Sequence, residues 1–215
     1  MPNDPDQPSD FHKPTLFSGS RFDALEGGED PARVMRVAHE TARALLSRAR
    51  TTDDPAVVDR LVHYTDEHGV DALAELWARS GPRTLPGALW RIYLVRLLIH
   101  QDPAGVSLLF QRGTEVLPTI DALVAGAPIP AGPDEVTDLA DRILRGVFDG
   151  DFALALDRAA AFCRVAAAGA SSVADDQDAA SPDRATQLTT RALRLTTTAD
   201  ELTACARLAR DGALE

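Results

Sequence analysis

Lysine is nearly missing from this chain: of its 22 basic residues only Lys13 is not arginine, a bias that with the abundant alanine points to a GC-rich genome and to no mechanism. Cysteine is scarce too. Cys163 and Cys205 have no CxxC or Cys/His spacing, which argues against a disulfide scaffold or thiolate metal site and for small buried hydrophobes in a reducing compartment. The longest apolar stretch is interrupted by Arg96, well short of the ~20 residues a membrane span needs. No basic-then-apolar leader opens the chain, so a cytoplasmic location is expected. Glycine-rich phosphate loops, a nucleophile elbow and a Rossmann fingerprint are all absent. There is no Glu-x-x-His, which a carboxylate-bridged two-metal bundle requires. His63 and Glu67, four apart with Asp66 and His68 beside them, are the one metal candidate and read better as surface or boundary residues. Asp149-Gly150-Asp151 lacks the oxygen ligands of a calcium loop and reads as a turn with a cap. The expectation is no cofactor, no metal and no catalytic residue. A net charge of -11 argues against a generic nucleic-acid binder, because phosphates repel such a surface at long range.

What is present is helix. Between Ala88 and Ile99 every residue is apolar except Arg91 and Arg96, the pattern of a surrounded helix. Thr84 as N-cap, Pro86 in the first turn and Asp102-Pro103 at the far end bound it at about 84–101. The fold class is therefore all-α: an orthogonal or antiparallel bundle around this central helix. Its two arginines need partners or water, and Asp66, Glu67, Asp71 and Glu75 are the candidates.

Residues 1–29, rich in proline, glycine and acidic groups, read as a disordered arm. Asp30-Pro31 starts a helix with Met35, Ala38, Ala42, Leu45, Leu46 and Ala49 on its buried side. Arg33, Arg36, Arg43 and Arg50, with Glu40 and Ser47, share the other face. That basic strip is either solvated and paired with the acidic arm, or an interface for an acidic partner or phosphate. Short helices follow from Asp54-Pro55 to Gly69 and from Asp71 to Ser80, the second burying Trp77. Another runs from Asp102-Pro103 to Gly113, then an irregular crossover reaches Gly132 with a helical turn at 119–125. A patterned helix from Pro133, a break at Gly146–Gly150 and a helix capped by Asp151 complete a domain spanning 30–168.

Small, polar and acidic residues at 169–181 have the composition of a linker. From Ser181-Pro182 on, Ala185, Leu188, Ala192, Leu195, Ala199, Leu202, Ala206 and Ala209 recur by three and four. The 182–211 segment is one helix, or two if Thr196-Thr197-Thr198 and the capping box Thr198-x-x-Glu201 divide it. Docking on the chain's own core is favoured over a homodimer through 185–209.

Arg79, Arg83 and Arg91, beside Trp77 and Trp90, form a second candidate rim for a partner's carboxylate or phosphate. The stretches RSGPRTLPGALWRIYLVR (79–96) and GVFDGDFALALDRAAAFCRV (146–165) resemble those of an actinobacterial helical protein family, most of whose members have no assigned activity. The likeness spans roughly residues 21–168 and carries no catalytic motif. It implies a protein partner, a ParA-type chromosome-partitioning ATPase whose polymerisation is regulated. The resulting expectation is a non-enzymatic adaptor acting through Arg33, Arg36 and Arg43 or the Arg79/Arg83/Arg91 rim. The alternative is a small-ligand binder or enzyme using a polar pocket beside the central helix.

Overall fold

The computed structural model describes residues 30–51 and 77–215, in which every regular element is an α-helix. The arm at 1–29, the expected helices over 52–76 and the residues His63 and Glu67 lie outside the described residues. The helices are α1 (Pro31–Thr51), α2 (Leu85–Gln101), α3 (Pro103–Val116), α4 (Asp121–Ala125), α5 (Pro133–Asp149), α6 (Phe152–Gln177) and α7 (Pro182–Arg210).

Side-chain caps start four of them where the sequence places them. Asp30 accepts from Ala32 N at 3.0 Å, and Thr84 Oγ1 from Gly87 N at 3.2 Å. Asp102 accepts from Gly105 N at 2.9 Å and Asp151 from Leu154 N at 3.1 Å. Each bond satisfies a donor that the first helical turn leaves unpaired. A single residue, Asp102, both ends α2 and begins α3, so the chain turns a corner there.

α2 is buried at its start and along most of its length, from Leu85 to Ile99, as an apolar circumference requires. The element that the others gather on, however, is α6, which packs against α2, α3, α4, α5 and α7. Its interior face is largely alanine, with Phe162 stacked on Phe110 of α3 at a centroid distance of 5.1 Å. Small residues let neighbouring backbones come close. Gly113 and Gly169 mark the closest approach, since a β-carbon on Gly113 would lie 1.9 Å from Val165 O and one on Gly169 1.8 Å from Leu109 O. Glycine is required there by contact, not by backbone angle.

Three expectations are corrected. The linker expected at 169–181 is helix as far as Gln177, because Gly169, Ala170 and Ala174 are buried against neighbours and extend the small-residue face. Only 178–181 is a turn, and it reverses the chain into α7. Gly146 sits inside α5, which ends at Asp149, so the break is confined to Gly150. Met35, placed on the buried side of α1, is 50% exposed.

α7 is one unbroken helix, and its heptad positions from Ala185 to Ala206 are buried. The seam is used inside the chain, against α6 and the core around it, and is therefore not available for a homodimer. The threonine run does not divide the helix. Thr196, Thr197 and Thr198 each donate their hydroxyl to the carbonyl four residues back, at 2.9–3.0 Å. The capping box does not form either, because Glu201 is drawn to Arg91.

Candidate interaction site

α1 lies across α2 and α5 with Ala38, Ala42 and Leu46 turned inward. That geometry turns Arg33, Arg36 and Arg43 outward, and all three are exposed. Arg33 and Arg36 form no ion pair among the described residues, while Arg43 lies 4.0 Å from Glu215, which is still more exposed. A pair so open to water contributes little. Exposed Met35 and Val37 flank the strip, so α1 presents guanidinium groups beside apolar surface. The side chain of Arg50 is outside the described set.

The second rim is only partly assembled. Arg79 and Arg83 are exposed in the turn before α2. Arg91 is committed elsewhere: its Nε donates to Glu201 of α7 and its Nη1 to Gly87 O at 3.0 Å. A guanidinium on an apolar helix must be neutralised nearby, and α7 supplies a carboxylate for Arg91; the acidic residues expected to serve, Asp66, Glu67, Asp71 and Glu75, lie outside the described residues. Trp77 is 4% exposed and part of the core, and its Nε1 has no hydrogen-bond partner among the described residues. Trp90 is half-buried and stacked on Tyr93 with ring centroids 6.0 Å apart. Of the expected site residues, Arg33, Arg36, Arg43, Arg79 and Arg83 remain accessible. Arg91 and Trp77 are structural.

Other charges also serve the fold. Buried Arg96 donates to Asp141 Oδ1 at 2.7 Å, and His100 Nε2 lies 3.0 Å from the same oxygen. Arg164 of α6 donates to Asp121 at 2.6 and 2.9 Å, which ties α4 down. Burial pushes the Asp121 carboxyl up, but the Arg164 and Thr119 hydrogen bonds with the Arg164 charge outweigh it and hold the carboxyl below its ordinary value.

A groove of about 620 Å³ opens between α2 and α7, beside the helix where the alternative reading places a pocket. Leu94, Val95 and Leu98 form one wall, and Gln187, Arg191, Arg194 and Leu195 contribute to the other. The polar residues come from the outer side of α7. Their spacing of four and three is readable in the sequence, one face away from the Ala/Leu seam.

Among the described residues no group of three or more His, Cys, Asp and Glu is placed to hold a metal ion, and no helix is long and apolar enough to cross a membrane. Comparison of the chain with family models, with curated proteins and with solved structures found no match.

Proposed function

We propose that this protein is a non-enzymatic interaction module that engages an acidic protein surface through Arg33, Arg36 and Arg43 of α1. The supporting observation is the exposure of all three guanidinium groups on one helix face of a chain whose net charge is -11. They span about 15 Å of helix, enough for several carboxylates of one partner. Guanidinium forks match carboxylates in two-point fashion, and apolar surface at Met35 and Val37 adds area to be covered. The acidic body disfavours nucleic acid at long range and leaves the strip as a local exception.

The partner we propose is a ParA-type chromosome-partitioning ATPase, whose polymerisation the protein regulates. This rests on the resemblance of 79–96 and 146–165 to actinobacterial proteins of the ParJ type. Purified protein is titrated against such an ATPase with nucleotide present, with light scattering to follow polymerisation. Binding by the unmodified chain is expected, weakened about tenfold or more by Arg33→Glu/Arg36→Glu/Arg43→Glu, with helicity unchanged. An Arg79→Glu/Arg83→Glu variant shows whether the turn before α2 takes part. Failure of the unmodified protein to bind any ParA-type ATPase, or equal binding by the triple variant, refutes the reading.

A further inference from the structure

We propose that the groove between α2 and α7 binds a carboxylate carried on a linear aliphatic chain. This stands apart from the α1 reading and from any ATPase partner. The floor is apolar: Leu94, Val95 and Leu98 face Leu195, and Leu94 remains 39% exposed. On α7 the lining residues run from Thr186 to Thr198, a rise of about 18 Å. That length accommodates an extended aliphatic chain laid along the apolar floor.

The polar groups select the head. Thr186, Thr190 and Thr198 already donate their hydroxyl protons to Pro182 O, Thr186 O and Arg194 O. They offer the groove methyl groups and no donor. The remaining donors are Gln187, Arg191 and Arg194, which recur by four and three along one side of α7. Among the described residues the buried Arg191 Nε has no hydrogen-bond partner, and a carboxylate oxygen of Asp102 lies 3.9 Å from Nη1. Arg194 makes no side-chain hydrogen bond or ion pair among the described residues. One lip thus carries the exposed Arg194 guanidinium, with Arg191 held beside it by Asp102, over an apolar floor, and the complement of that lip is an acceptor-only anion with a tail. Burial lowers the Arg191 pKa, Asp102 opposes that shift, and Arg184 adds to it; an arriving carboxylate supplies the countercharge.

Decanoate, kept well below its micellar range, is titrated into the full chain by calorimetry, with 1-decanol as the uncharged probe and acetate as the tail-less one. Decanoate is expected to bind with Kd below about 1 mM, with 1-decanol and acetate each at least about tenfold weaker. Arg191→Gln and Arg194→Gln are each expected to weaken decanoate about tenfold, and Leu94→Glu to abolish its binding, with the helical spectrum preserved. If Arg191→Gln does not fold, Arg194→Gln and Leu94→Glu decide. No binding of decanoate, equal binding of decanoate and 1-decanol, or unchanged affinity in both of those variants overturns the proposal.

Discussion

Replacing Gly169 by alanine sets two effects of opposite sign against each other. Removing a glycine from a helix interior ordinarily stabilises it by up to about 1 kcal/mol. Here the new β-carbon would lie 1.8 Å from Leu109 O and 2.8 Å from Gly113 N. Carbon and oxygen rarely approach closer than about 3.3 Å, so α3 must retreat from α6 by roughly 1.5 Å. Both clashing groups are backbone, and no change of rotamer relieves them. The retreat also opens the Phe110–Phe162 stack, whose members are fully buried. Overpacking of this kind costs about 1–3 kcal/mol, and the lost stack adds about 1 kcal/mol. The net expectation is a loss of about 2 kcal/mol, or a Tm lower by roughly 4–8 °C for a chain of this length. Thermal and urea melts followed by far-ultraviolet circular dichroism measure it. Gly113→Ala should behave similarly, and the double variant should fall short of additivity, because the first substitution has already parted the helices. Gly146→Ala is the control: its β-carbon would sit 3.6 Å from Ala155 Cβ, so a gain of about 0.5–1 kcal/mol is expected. A Gly169→Ala protein as stable as the parent would refute the close approach.

Leu202 is fully buried in the α7 seam, so Leu202→Ala should cost about 2.5–5 kcal/mol; denaturation midpoints that shift with protein concentration would show that the seam joins two copies instead. Burial pushes the Cys163 thiol up to about 12, against the Arg164 charge, and the Cys205 thiol up to about 11, against the Arg91 charge. An unfolded thiol ionises near 9.0, so this stabilisation is complete below pH 9 and is lost as pH rises through about 11 to 12. Urea melts from pH 7 to 11 check the slope, and rapid labelling of either thiol in the native protein at pH 8 would contradict it. Asp121 has the reverse sign: with a lowered native pKa it stabilises above the ordinary carboxyl value of 3.8 and ceases to as pH falls through its native pKa. Arg164→Ala should cost about 1–2 kcal/mol and flatten the acid limb of the stability profile.

Much of the architecture was legible because it depends on local chemistry. Caps at Asp30, Thr84, Asp102 and Asp151 are short-range bonds, and the α7 seam is a spacing. The length of α6 was not, since a stretch of small and acidic residues reads as linker until a neighbour is known to bury Gly169 and Ala174. For the same reason Arg91 looks like a site residue in the sequence: its neutralising partner, Glu201, is far along the chain and also fits the spacing of a capping box. The exposed arginines of α1 were found because the face of an amphipathic helix can be counted. The groove beside α2 was anticipated only as a place, because its wall is made by a helix whose docking the spacing did not orient.

The alanines that fill the space between α6 and α7 have a thermal consequence. Methyl groups expose less greasy area to water on unfolding than leucine or phenylalanine do, so the heat-capacity increment should fall below the usual ~12–15 cal/mol/K per residue. A smaller increment flattens the dome of free energy against temperature. This hairpin should then hold a nearly constant stability from cold to warm, with cold denaturation displaced well below the freezing point of water.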